Sequence, residues 1–361
     1  MQTKKMCGVL LNGHGGFEQL EYREDISIPV AGPGEVLVAV GAAAVNNTDI
    51  NTRIGWYSKS VSVETAASDG TGDVEQDATW GGDPLTFPRI QGIDVCGRIT
   101  AVGQGVVPAR IGERVLIEPC LRDVDQDGAY TARFFGSECD GGFSQFTTAP
   151  AVHAHRIDSP LGDVELASFP CSYSTAENML TRLSLKEGET VLITGASGGV
   201  GSAAVQLAKR RGARIIAVSG PAKAGEVRAL GADMIIPRGD DLTKALGTDQ
   251  VDAVVDIVAG PDWSQLLEIM KPGGRYAVSG AIAGPMVELD VRTLYLKDLS
   301  FFGCTILEPG VFANLIGYIE RGEIKPVVAK TYLLRDIVTA QKDFLDKAHT
   351  GKLVLDVPPY N

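Results

Sequence analysis

The sequence predicts an α/β protein in which a doubly wound parallel sheet is joined to a β-rich barrel. Three observations predict it. The first half is written in short apolar runs punctuated by Gly and Pro. From about residue 188 apolar strands alternate with helices. That alternation opens on a glycine-rich turn, "VLITGASGGVGSAAVQLAK". At 361 residues the chain is long enough for two cores, and its 44% hydrophobic and 22% charged residues are a globular composition.

From residue 5 to about 157 the runs are "KKMCGVLL", "GEVLVAVGAAAV", "VCGRITAVG", "GERVLIEP", "GGFSQFTT" and "AVHAHRI". Their length and punctuation read as a mostly antiparallel barrel or sandwich. Two polar loops interrupt them, at 58–88 and at 119–140, the second carrying Tyr130, Phe134 and Phe135. Loops of that length are usually functional or disordered. From "TVLITG" the order is strand, helix to Gly212, "RIIAVSG", helix 222–230, "DMIIP", helix 241–247, "VDAVVDIV", helix 262–270, "GRYAVSG" and "LSFFGCTI". Six strands alternating with helices make a parallel sheet covered on both faces. The tail "GKLVLDV" returns to strand and is expected to rejoin the first part. The expected division is 1–158 with 325–361 for the β-rich domain and 159–324 for the parallel-sheet domain.

A net charge of −12 argues against nucleic acid or an anionic membrane as partner. It does not argue against a small phosphorylated ligand, which backbone N–H groups can hold. No apolar run reaches the length of a membrane span, and the start has too short an apolar run for a secretory signal. The six cysteines form no CxxC pair, which reads as a reduced, cytoplasmic chain without a zinc knuckle.

The glycine-rich turn is the strongest motif. Ala196, Ser197, Gly198, Gly199, Val200 and Gly201 follow a buried strand and open a helix, in GxGxxG spacing with Ala at the first position. Gly198 lets the backbone approach a pyrophosphate, and Gly201 lets the helix pack close to the strand. The helix start offers free N–H groups and partial positive charge. At the end of the second strand, where NAD binders place an acid for the ribose, stand Ser219 and then Lys223, with no acid before Glu226. A hydroxyl and a cation suit a 2′-phosphate, so the sequence favours NADP(H). The plainer alternative makes Lys223 a solvated helix residue.

These motifs, with "GPGEVLVAV", "GIDVCGRITAVGQGV", "LASFPCSYSTAENML", "LGAD" and "KPGGRYAVSG", resemble the medium-chain dehydrogenase/reductase superfamily. The resemblance covers nearly the whole chain. It implies a Rossmann domain and a GroES-like β-rich barrel domain, and cofactor contacts at Gly280, Ala281, Cys304 and Lys352. Zinc-containing members carry Cys-His-Thr-Asp where this chain has Asn46-Asn47-Thr48-Asp49, and Gly-His-Glu where it has Gly92-Ile93-Asp94. Their third ligand matches Cys171. Two of three protein ligands are thus replaced, and the four-cysteine lobe is missing, so a metal-free site is expected. "DVDQDG" at 123–128 copies half of a calcium loop but has Phe134 at the twelfth position, and reads as an acidic turn. "HAH", His153 and His155, reads as two partly exposed histidines on one side of a strand.

The stretch "VNNTDINTRIGWY" resembles the zinc-free quinone and enoyl-thioester reductases, with Asn47 in place of their usual proline. The resemblance makes Tyr57 a candidate proton donor, the alternative being an aromatic lining residue. It makes Asn46 a candidate donor to the substrate carbonyl or nicotinamide ribose, and places Thr175 near the nicotinamide. Asp49 is expected to cap the segment after it. Three functions are consistent with these residues: a zinc-independent NADPH reductase of quinones or α,β-unsaturated carbonyls, an alcohol dehydrogenase with other ligands, and a non-enzymatic NADPH-binding protein. The substrate is a small molecule in the first two. The 58–88 insertion is expected to narrow the cleft, and "LSFFGCTI" is a strand that could pair two subunits.

Overall fold

The computed structural model describes residues 4–65, 84–124 and 130–360. Most of the acidic turn at 123–128 and residues 66–83 of the insertion lie outside the described residues.

The strand Glu35–Val45 organises the first sheet. Burial alternates along its first half and becomes continuous from Ala42 to Val45. One face therefore meets solvent at the start, and both faces are covered at the end. The strand pairs antiparallel with Asp94–Val102 and with Lys352–Asp356. Ala44 lies opposite both Asp94 and Val354, and Val45 lies opposite Leu353. This register brings Asn46, Asp94 and Lys352 to one buried end of adjacent strands. The C-terminal run does rejoin the β-rich sheet, where Val328–Leu333 pairs parallel to it.

The second sheet has six parallel strands in the spatial order Met234–Pro237, Arg214–Ser219, Thr190–Ile193, Val251–Asp256, Met270–Val278 and Ser300–Gly303. Numbered along the chain, this is 3-2-1-4-5-6, the doubly wound order. Val191, Leu192 and Ile193 are fully buried because helices cover both faces. The strand order reverses beside Thr190–Ile193, and ligands bind at such a switch point, outside the C-terminal ends of the strands.

Two segments differ from expectation. Much of 119–140 is a hairpin, Cys120–Val124 against Tyr130–Phe134, and Phe134 and Phe135 are buried. Their aromatic rings serve the core rather than a loop surface. His153 ends a 3-10 turn, Ala151–His153, instead of standing in a strand, and it is buried. It and His155 converge on one oxygen of Glu118, at 3.1 and 3.0 Å. Burial raises the Glu118 carboxyl, but the imidazoles and Arg122 more than offset this and hold it at about 2. No helix among the described residues is long and apolar enough to cross a membrane.

Candidate active site

The glycine turn is the candidate cofactor cradle. Gly198 caps the helix Gly199–Arg210 in extended conformation. A side chain on Gly201 would place its Cβ 2.2 Å from the Gly195 carbonyl oxygen and 2.6 Å from Ala196 Cα, so the close helix–strand packing requires glycine. At Gly198 the nearest atom would be 3.5 Å away, which leaves its outer side open. The first N–H groups of the helix, at Gly199, Val200 and Gly201, have no intrahelical acceptor. Ser197 is tied to the β-rich domain through its carbonyl, which accepts from Gly351 N–H at 2.9 Å. Beside that contact the buried Thr350 hydroxyl lacks a partner among the described residues. An open glycine turn, helix-start N–H groups and an orphan hydroxyl fit the pyrophosphate of a dinucleotide.

The rim opposite is rigid. Asp256, fully buried, accepts from Thr194 Oγ1 at 2.6 Å, Tyr276 OH at 2.7 Å and Val258 N–H at 2.9 Å. This fixes Ile257 and Val258 over Gly195. Gly280 lies against the Ile257 carbonyl, and Ala281 accepts from Gly284 N–H at 3.0 Å. Cys304, the other expected cofactor contact on this rim, is buried. Its thiol turns inward to the Phe302 carbonyl, its N–H goes to Val278 and its carbonyl accepts from Ser279. It braces the rim through these bonds.

At the adenosine end, buried Ser219 ends its strand. Lys223 donates to the Lys347 carbonyl, which brings together residues 124 positions apart. Burial, then Lys223, lowers the Lys347 ammonium to about 8. Burial, then Lys223, Lys347 and Lys352, lowers His349 to about 4. Lys223 is itself lowered by burial and then by Arg238. Cations crowd here at mutual cost, which an anion would relieve. Sequence reading singled out Ser219 and Lys223 but missed Lys347, His349 and Arg238. The available signal was the basic turn "KAHTGK" just ahead of the terminal strand.

The candidate catalytic end is built on a buried triangle. Lys352 Nζ lies 2.8 Å from Asp94 Oδ2 and 2.5 Å from Asn46 Oδ1. Asn46 Nδ2 donates to Asp94 Oδ2 at 2.7 Å and to the Ala44 carbonyl at 3.2 Å. Asp94 Oδ1 accepts Cys171 N–H at 2.6 Å. A buried ion pair is tolerable when it is hydrogen-bonded in this way. The aliphatic part of Lys352 passes beside Gly199, so one side chain links the triangle to the cofactor turn. Both amide hydrogens of Asn46 are committed here. The amide expected to donate to the substrate carbonyl or the nicotinamide ribose is thus bonded here to Asp94 and the Ala44 carbonyl.

Asp49 lies in the first turn of the helix Asn47–Arg53 and reaches back, accepting Asn46 N–H at 2.7 Å. It thus caps the start of the helix instead of the segment after it. Burial raises its carboxyl to about 7, against the pull of that N–H and of Lys352. Burial also pushes the Cys171 thiol far above its ordinary range, with the Asp94 charge adding to the shift. Thr175, half-buried on the helix Pro170–Arg182 that also carries Cys171, bonds to that thiol. Tyr57 OH donates to Thr48 Oγ1 at 3.1 Å, and burial raises the phenol above its usual value. Ile93 is core, 1% exposed. Among the described residues no group of three or more His, Cys, Asp or Glu is placed to hold a metal ion.

Fold and site together define a nicotinamide-dependent oxidoreductase of two domains. Residues 32–159 match the alcohol dehydrogenase GroES-like domain and residues 199–321 the zinc-binding dehydrogenase domain. A solved structure from Sinorhizobium meliloti that carries an alcohol dehydrogenase name is 44% identical, with a TM-score of 0.87, over 98% of this chain and 97% of that one. Acryloyl-coenzyme A reductase of Metallosphaera sedula is 28% identical over 97% of this chain and 99% of its own. Human quinone oxidoreductase is 27% identical over 98% of each. The chain belongs to the medium-chain dehydrogenase/reductase superfamily and is an NAD(P)H-dependent oxidoreductase.

Proposed function

We propose that the protein is an NADPH-dependent reductase that works without zinc and delivers hydride to quinones or α,β-unsaturated carbonyl compounds. The observation that carries this reading is the Lys352–Asp94–Asn46 triangle. At the positions of the relatives' metal ligands stand an amide, an isoleucine and a thiol held protonated. The carboxylate beside them is already neutralised by an ammonium. A divalent ion would have to displace Lys352 and deprotonate Cys171. Alcohol oxidation needs a Lewis acid or base to form an alkoxide, whereas a conjugated C=C bond needs only a hydrogen bond to the developing enolate and a weak acid.

Bound reduced nicotinamide supplies the hydride. The chain's own residues do the rest. Tyr57, kept protonated by burial, holds the proton for the acceptor, and Thr48 orients its hydroxyl. Asn46 is a positioning residue that holds Asp94 and Lys352, and Thr175 lines the nicotinamide end. Ser219, Lys223, Lys347 and His349 receive the 2′-phosphate and select NADPH over NADH. The names of the quinone and acryloyl-coenzyme A reductases support this acceptor class.

We take residues 1–158 with 325–361 as the catalytic domain and 159–324 as the cofactor domain, and place the protein in the cytoplasm on its scattered-cysteine pattern. The edge strand Ser300–Gly303, with its exposed Phe301, and the nearby exposed Tyr295 and Leu296 support a homodimer through the cofactor domain. The decisive experiment is metal analysis of the purified protein beside a screen of quinones, enones, enoyl thioesters and alcohols with NADPH and NADH. Turnover of conjugated acceptors with NADPH and substoichiometric metal is the expected result. Stoichiometric zinc with alcohol turnover would overturn it, and tight NADPH binding without any turnover would favour a binding protein.

A further inference from the structure

The helix that carries Asn46's neighbours ends at Arg53, and the chain then leaves it in an unusual direction. Trp56 N–H returns to the Asn51 carbonyl at 2.8 Å, and turns at Ser58 and Val61 follow. The indole Nε1 of Trp56 then donates to the Val63 carbonyl at 2.9 Å, folding the segment back over its own start. Two residues on, Thr65 N–H donates to the Ile282 carbonyl at 3.3 Å. Ile282 belongs to the cofactor domain, just past the C-terminal end of Met270–Val278. Its loop is pinned to the rim, since Ala283 N–H bonds the Val258 carbonyl at 3.0 Å.

Residues 56–65 thus run from the base of Tyr57 in one domain to the nicotinamide-side rim of the other. A chain tied at both ends of a cleft covers what lies between. Thr65 is only 5% exposed, and its hydroxyl has no hydrogen-bond partner among the described residues. A buried hydroxyl left unmade is costly unless a ligand supplies the missing bond.

We propose that Trp56–Thr65 is the outer wall of the acceptor pocket and sets acceptor size, with Trp56 as its brace, the Thr65–Ile282 bond as its latch, and the Thr65 hydroxyl as a polar contact for the acceptor. This rests on the reductase reading above. The wall limits the enzyme to compact acceptors, since a bulky ring system must displace a segment held at three points.

The test uses the full-length protein and Thr65→Pro, which removes the latch N–H, and Trp56→Ala, which removes the brace. Binding of cyclohexenone, a naphthoquinone and a phenanthrenequinone to the NADP⁺ complex is measured by calorimetry, and reduction by NADPH is measured in parallel. The affinity ratio of the phenanthrenequinone to cyclohexenone is expected to rise about tenfold in both variants, the scale on which pocket shape discriminates. A ratio within twofold of wild type in either folded variant overturns the wall. If one variant fails to fold, the other decides. Wild-type binding without reduction would sink the reductase reading while the affinity ratio still judges the wall. Failure of all three to bind wild type overturns both.

Discussion

Tyr57 holds its hydroxyl on Thr48 in a buried setting that keeps it protonated. Tyr57→Phe is expected to lower kcat about 100-fold, the usual worth of a positioned acid, while NADPH affinity measured by fluorescence stays within twofold. Unchanged kcat would return Tyr57 to the role of lining residue. Lys347 makes a different prediction. Its lowered ammonium, near 8, should be driven back to the charged form by a phosphate dianion. At pH 8 NADPH binding is therefore expected to take up about half a proton at this site, read by calorimetry in buffers of different ionisation enthalpy. NADH should take up none there, and Lys347→Ala should abolish the difference. Lys352→Met would leave Asp94 buried and unpaired. Losing one partner of a buried pair costs roughly 3–5 kcal/mol, measured by urea unfolding, and Asp94→Asn in the same chain should recover part of it. Asp49 gives a pH signature. Its carboxyl is raised to about 7, so its contribution to stability is full below the ordinary carboxylate range and is lost as pH rises towards 7. Asp49→Asn should flatten the fall of Tm across that window.

At the scale of elements, the glycine turn separates packing from binding. Gly201→Ala would drive a methyl into the Gly195 carbonyl. It is expected to lower Tm and cofactor affinity together. Gly198→Ala meets nothing closer than 3.5 Å in the protein. It should leave Tm nearly unchanged and weaken NADPH binding, because the methyl stands where the backbone must approach pyrophosphate. Equal losses of Tm in both variants would contradict this. The turn was legible in the sequence because its signal is local, with strand, glycines and helix contiguous. The hairpin of Cys120–Val124 and Tyr130–Phe134 was not. Its intervening polar residues mask a strand pair whose stability comes from burying Phe134 and Phe135 against other parts of the chain. The Glu118–His153–His155 cluster was missed for a related reason, since histidines two residues apart do not announce a carboxylate 35 residues upstream.

For the whole molecule, the exposed edge Ser300–Gly303 with Leu296 and Phe301 is expected to pair two subunits. Phe301→Lys should shift the mass measured by light scattering from dimer to monomer, and a wild type already monomeric would remove the idea. The order of strands and the two-domain style were set by what a sequence carries openly: hydrophobic periodicity, glycine punctuation and residue types at short spacing. The same local pattern was enough to name Ala196–Gly201, Ser219 and Lys223 as candidates, and the family resemblance added Tyr57. Only the tertiary structure decided what surrounds them. Asn46, Asp94 and Lys352 are far apart in the chain and meet because adjacent strands end at one level. Lys347 and His349 join Lys223 because the terminal strand returns beside the cofactor turn. Charge neutralisation, proton affinity and the commitment of an amide depend on distances of a few ångströms between residues hundreds apart, and no periodicity along a chain encodes those distances.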